Sequence, residues 1–174
     1  MNDHMRQLKT IFDTNIYGEL LSKSEYVDLI EKIRSDGGLV VFGFREIRKE
    51  LKDTPKDKAS HDDSQLRIAL LVLYDKLVKS ERDLLVTPEI EKLAIDYHKE
   101  YQKLGGITSL NILKRDFLIV ACASIKNRDI GYSDDNSTML SKLSIESYTA
   151  INSRENLRSP NFLNFKDLRK KYNL

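Results

Sequence analysis

Leu8-Lys9-Thr10-Ile11-Phe12-Asp13-Thr14-Asn15 is a short β-leaning run that closes on an acid. Its apolar and β-branched residues predict a strand over Leu8 to Phe12, and Asp13 then stands where that strand ends. In parallel α/β sheets, ligands bind outside the carboxyl ends of strands, so an acid at this point is placed to act on one. The same residue is equally suited to N-cap a helix beginning near Asn15.

Working outward, β-leaning runs alternate with longer helical patterns, which predicts an α/β domain with a parallel sheet flanked by helices. The strand candidates are Leu8 to Phe12, Leu39 to Phe44, Leu84 to Val86, Ile130 to Ser133 and Ser147 to Ile151. Leu39 to Phe44 is nearly all apolar, as befits a strand covered on both faces. Ser22-Lys23-Ser24-Glu25 has capping-box spacing and predicts a helix carrying Val27, Ile30 and Ile33, ended by Gly37-Gly38. Thr87-Pro88-Glu89 supplies an N-cap, a first-turn proline and a first-turn acid. An apolar stripe follows at Ile90, Leu93, Ala94, Tyr97, Tyr101 and Leu104. Leu66 to Val78, apolar around most of its circumference, predicts a buried helix. Leu113 to Lys126 predicts a central one with Asp116 in its first turn.

Acids recur at the ends of these elements. Glu46 and Glu50 follow the second strand at i,i+4 spacing, on one helix face. Asp116 stands one position before the apolar run Phe117 to Ala123, and Asp134-Asp135 follow the fourth strand. Each alone has an ordinary explanation: a solvated face, a dipole-complementing first-turn acid, or turn chemistry. Their recurrence near one edge of one sheet points instead to a metal site. Oxygen donors without His or Cys suit Mg²⁺ or Mn²⁺ rather than zinc, and the histidines at 4, 61 and 98 show no ligand spacing.

The 174 residues suit one domain spanning 1–174, with 52–110 an extended helical region and 152–174 a C-terminal extension. A formal net charge of +2 excludes a global basic field, so any polyanion site is local. Basic residues gather at Arg45, Arg48, Lys49, Lys52, Lys56 and Lys58 beside the second acid, and at Lys114-Arg115 beside the third. That placement fits a phosphate chain crossing bound metal, and equally a solvated helix face. The single cysteine, Cys122, lies in an apolar run and reads as a buried, inert thiol. With no intrachain disulfide, no apolar stretch of membrane-spanning length and no signal-peptide core, the expectation is a soluble cytoplasmic protein.

At this point the sequence resembles the PIN-domain family, which includes the VapC-type toxins and archaeal free-standing relatives. The family pattern opens on a strand ending in Asp-x-Asn, here Asp13-Thr14-Asn15, and continues with a glutamate followed by leucine, where Glu50-Leu51 fits better than Glu46-Ile47. Its third acid precedes an apolar, alanine-containing helix, as Asp116 does. Its fourth lies in a Thr/Ser-x-Asp turn, as in Ser133-Asp134-Asp135. The resemblance implies a PIN-like three-layer domain with a parallel five-stranded sheet, and Mg²⁺- or Mn²⁺-dependent cleavage of RNA. It further implies metal ligation by Asp13, Glu50, Asp116 and Asp135, with Asn15, Ser133, Asp134 and Thr138 in supporting positions and Arg45, Arg48, Lys49, Lys52, Lys114 and Arg115 toward RNA. An antitoxin and a second copy of the chain are the implied protein partners. The stretch from Lys52 to Leu110 is longer than a compact toxin needs.

Two other readings compete. One is a PIN-like module that binds RNA or a partner with weak or no cleavage. The other is a small-molecule phosphohydrolase of the haloacid-dehalogenase kind, which wants Asp-x-Asp where this chain has Asn15. A nucleotide-binding fold would need a Gly-rich loop after a strand, and none is present.

Overall fold

The computed structural model describes residues 6–54 and 61–174, with side chains described from 64 onward in the second stretch. Five parallel strands form one sheet: β1 (Leu8–Phe12), β2 (Leu39–Phe44), β3 (Asp83–Leu84), β4 (Ile130–Tyr132) and β5 (Asn161–Leu163), in the order β3-β2-β1-β4-β5. The helices among the described residues are α1 (Thr14–Leu21), α2 (Val27–Ser35), α3 (Arg45–Asp53), α4 (His61–Leu77), α5 (Pro88–Lys103), α6 (Leu110–Ile125), α7 (Lys142–Arg154) and α8 (Phe165–Lys171).

The strand order matters for the site. β1 lies at the centre, with β2 on one side and β4 on the other, so the chain leaves the middle of the sheet in both directions. Side chains just beyond β1, β2 and β4 therefore share one crevice, the place where such sheets hold ligands.

The expected α/β architecture stands, with β1, β2 and β4 where the sequence places them, while β3, expected over Leu84 to Val86, is Asp83–Leu84 and shares only Leu84 with that range. The fifth strand lies elsewhere. Ser147 to Ile151 lies inside α7, and the fifth strand is Asn161–Leu163, beyond Pro160. The Ser141 side chain caps α7 by accepting from the Ser144 N–H, after which Ser144, Ser147, Tyr148, Ile151 and Asn152 are buried at helical spacing. The Asn152 amide donates to Ser124 Oγ (3.0 Å) and Ser159 Oγ (2.8 Å) and accepts from the Tyr97 hydroxyl (2.6 Å). Tyr148 meets Tyr97 and Phe117 edge to face. This packing against α5 and α6 overrides a β-leaning local composition. Residues 152–174, expected as an extension, thus supply an edge strand and the terminal helix.

Three further expectations need correction. Ser22 closes α1, its hydroxyl donating to the Glu19 carbonyl (2.7 Å), instead of opening α2 with a capping box. Within α2, Leu29, Ile30 and Ile33 are buried, whereas Val27 is exposed. In α4 only one face is buried, through Leu70, Leu73, Tyr74 and Leu77, while Leu66, Ile68 and Val72 face outward. The Thr87-capped helix α5 follows its stripe from Ile90 to Tyr101, Leu104 being exposed just before Gly105 (φ +96°). A left-handed residue there suits glycine, which lacks the Cβ that makes such a φ costly.

Candidate metal centre

Asp13 directly follows β1, and its backbone N–H donates to the Tyr132 carbonyl of β4 (2.9 Å), which ties it to the neighbouring strand. Its side chain both caps α1 and faces the crevice. Oδ1 accepts from the Thr14 N–H (2.7 Å), and Oδ2 accepts from the Ser133 hydroxyl (2.7 Å) and the Asn15 amide (2.9 Å). The carboxyl is only 5% exposed. Burial raises its pKa against the pull of the Ser133 and Thr14 hydrogen bonds, and the charges of Glu50 and Asp135 add to the rise.

Asp116 sits in the second turn of α6, not the first, so complementing the helix dipole is no longer its explanation. Burial pushes its carboxyl up to about 7 against a lowering hydrogen bond from Thr138, and Asp13, Asp135 and Glu50 add charge repulsion. Asp135 lies in the turn after β4. There burial is outweighed by hydrogen bonds from Thr138 and Ser137, so the carboxyl sits below its ordinary range. The Thr138 hydroxyl reaches both Asp116 Oδ2 and Asp135 Oδ2. A hydroxyl has one proton to give, so one of these two contacts needs a proton or a cation on the carboxylate side.

Glu50, in α3, completes the group: its charge acts on both Asp13 and Asp116, and Arg115 of α6 pairs with it at 2.7 Å. Glu46 lies one turn earlier on α3. Four acids from four distant segments therefore share one field at the carboxyl edge of the sheet. Arg115 is the cation that the described residues place in salt-bridge contact with one of them. Oxygen donors of this kind fit a hard dication. Among the described residues, no group of three or more acids stands as a ready-made site for a metal ion.

Three of the four residues named for supporting positions, Asn15, Ser133 and Thr138, hydrogen-bond to the acids. Asn15 bridges Asp13 to the β4 turn, donating to Ser133 Oγ (3.3 Å) and accepting the Asp134 N–H (3.1 Å). Asp134 itself turns away from the acids, its Oδ1 accepting the Phe165 N–H of α8 (2.9 Å). The basic residues are divided. Arg48 forms a two-pronged pair with Asp75 (3.1–3.2 Å), and Arg45 lies 3.6 Å from Asp83. Lys49, Lys52 and Lys114 are exposed. Lys56 and Lys58 lie outside the described residues, as do His4 and the side chain of His61, while His98 is buried on α5 against the Thr108 carbonyl. Cys122 is fully buried, and burial pushes its thiol up to about 12.

Sequence reasoning missed Tyr148, whose hydroxyl donates to the Met139 carbonyl (2.9 Å) and whose titration feels Asp116 and Asp135. It lies within the segment misread as a strand. Beside Asn15 opens a groove of about 320 Å³, lined by Thr14, Asn15, Gly18, Leu51, Thr54, Leu66 and Leu70.

The sequence matches no family model and no curated protein. Solved structures do match in shape. The chain is similar to one in VapBC2 from Rickettsia felis, crystallised with a DNA fragment from its promoter, at TM-score 0.56 and 12% identity over 90% of this chain and 98% of that one. It is similar also to a chain of VapBC-1 from nontypeable Haemophilus influenzae, at TM-score 0.53 and 13% identity over 91% and 99%. At these identities the likeness concerns the fold alone, a PIN-like α/β fold with a five-stranded parallel sheet.

Proposed function

We propose that this protein is a divalent-metal-dependent endoribonuclease, acting in a VapC-like toxin setting. The observation that carries the reading is the convergence of acids from separate segments: the Thr138 hydroxyl reaches both Asp116 and Asp135, and Asp13, Asp135 and Glu50 lie near enough to raise the Asp116 carboxyl. Asp13 and Asp135 would hold Mg²⁺ or Mn²⁺ most directly, with Glu50 and Asp116 ligating a second ion or acting through water. Such ions supply an activated water and neutralise charge building on the phosphate.

The remaining steps belong to the chain itself. Ser133 and Asn15 orient the Asp13 carboxylate through Oδ2. Thr138 spans Asp116 and Asp135 and sets their spacing. Arg115, held beside the site by Glu50, is placed to exchange that carboxylate for a phosphate oxygen when RNA enters. Lys49, Lys52 and Lys114 lie on the same two helices and would guide the flanking backbone.

The groove beside Asn15, with Leu51, Leu66 and Leu70 in its wall, suits the apolar face of a partner segment. An antitoxin is the partner the fold likeness suggests. A second copy of the chain is a further candidate.

The test is cleavage of a mixed RNA pool with Mn²⁺, with Mg²⁺ and with EDTA, for the parent and for Asp135→Asn. Cleavage that needs the metal and is lost in the variant supports the reading. Cleavage equal in EDTA, or unchanged in Asp135→Asn, refutes it.

A further inference from the structure

The turn that carries Asp135 is pinned from outside the acid cluster. Asp134, its immediate neighbour, makes two bonds in opposite directions: its N–H donates to Asn15 Oδ1 (3.1 Å), and its Oδ1 accepts the N–H of Phe165 (2.9 Å), the first residue of α8. Asn15 in turn donates to Asp13 Oδ2 (2.9 Å). A continuous run of hydrogen bonds therefore joins the terminal helix to the first acid of the site.

α8 is anchored at both ends. At its start, the Asn164 and Asp167 side chains form a reciprocal capping box, and Phe165 meets Tyr26 edge to face at 5.3 Å. Past its end, the Tyr172 hydroxyl donates to Asp36 Oδ2 (2.7 Å), at the C-terminus of α2. The helix is thus fixed to the α1–α2 side of the domain while it holds the β4 turn.

We infer that Asp134 is a positioning residue and α8 a clamp: together they fix the β4 turn so that Asp135 faces Asp13 and Asp116. The inference rests on the nuclease reading for its catalytic consequence, though not for its structural one. Asp134 is not a ligand in this account, and its carboxylate serves as an acceptor, a role an amide oxygen fills equally well.

The experiment compares parent, Asp134→Ala and Asp134→Asn by hydrogen-exchange mass spectrometry, and by kcat and KM for Mn²⁺-dependent RNA cleavage. In Asp134→Ala, amides of 134–138 and of 165–168 should exchange about tenfold faster or more, while β1 and α6 keep their parent protection. The kcat should fall about tenfold or more with KM within about twofold, in the range seen when a partner that orients a ligand is removed. Asp134→Asn should restore both readouts.

Loosening of 165–168 alone, with 134–138 at parent protection, would overturn the clamp. So would an Asp134→Asn variant as inactive as Asp134→Ala, since that outcome assigns the role to charge. If the parent cleaves no RNA, the nuclease reading falls, and the exchange data still decide whether α8 holds the turn.

Discussion

Asp13 carries two roles that single-residue reasoning treats as alternatives, for it caps α1 and faces the other acids. Replacing it by Asn keeps an acceptor for the Thr14 N–H and removes a charge that burial disfavours, but it sets an amide N–H against the Asn15 donor. These effects offset, so Asp13→Asn should shift stability by only about 1 kcal/mol. Cleavage should fall on the order of 100-fold, because preorganised charge at the reacting phosphate is lost. Paired melting and cleavage measurements decide; equal loss of both would make Asp13 purely structural. Asp116 gives a pH signature. Its folded-state pKa of about 7 lies above that of an unfolded aspartate, so the folded protein binds the extra proton between roughly pH 4 and pH 7. Metal-free stability should therefore be fully present below pH 4 as far as this group is concerned, and should decline as pH rises through 7. The shift of Asp13 acts in the same direction. Asp135, shifted downward, stabilises above the unfolded value and loses that contribution only as pH falls through its lower folded value. Thermal melts from pH 5 to 8 should show the decline, Asp116→Asn should flatten it, and Mn²⁺ should raise the melting temperature more at pH 8 than at pH 5.5. A melting temperature that climbs steadily to pH 8 without metal would contradict the Asp116 assignment.

At the scale of elements, what the sequence made legible was whatever local chemistry alone decides. Thr87-Pro88-Glu89 marks the start of α5 because cap and proline act within one turn. The strands β1, β2 and β4 read correctly because their β-branched, aromatic and apolar residues are buried on the middle strands of the sheet. Ser147 to Ile151 did not, since its fate is set by contacts with other parts of the chain, Tyr148 packing on Tyr97 and Phe117 and the adjoining Asn152 bonding to Tyr97, Ser124 and Ser159. Asn161–Leu163 is a strand only because β4 offers it an edge, with Ile130 to Tyr132 as register partners. The α4 helix shows a related limit, in that composition gives the amount of apolar surface but not how much of it is covered. Ile68→Lys should change stability by no more than about 0.5 kcal/mol, the usual range for an exposed site. Leu70→Ala, two residues away and buried, should cost about 2 to 5 kcal/mol. Urea unfolding of the two variants tests the orientation of the helix, and a reversed order would mean that the faces of α4 are exchanged.

For the molecule as a whole, the acids could be found in sequence but their partners could not. Asp116 and Thr138 are separated by the entire passage through β4, and the pairing of Arg115 with Glu50 depends on how α3 and α6 cross. With a formal charge of only +2, and with Arg45, Arg48 and Arg115 each beside a carboxylate, RNA affinity should depend on few counterions. The logarithm of KM should rise with the logarithm of salt at a slope of about 0.7 per phosphate contacted, with Lys49, Lys52 and Lys114 as the main contributors. Lys114→Gln should raise KM severalfold and lower the slope, while Arg48→Gln should do neither; a salt-independent KM would remove the lysines from the RNA path. The sealed position of Cys122 has a practical corollary. The only sulfhydryl of the chain is sterically shielded and protonated at neutral pH, so the native protein is close to a blank for maleimide reagents. A cysteine introduced at an exposed position, Lys166 on the terminal helix or Asn136 in the β4 turn, would then carry a fluorophore or spin label alone. Distances between such reporters become measurable in the wild-type background, with no need to delete a native thiol first.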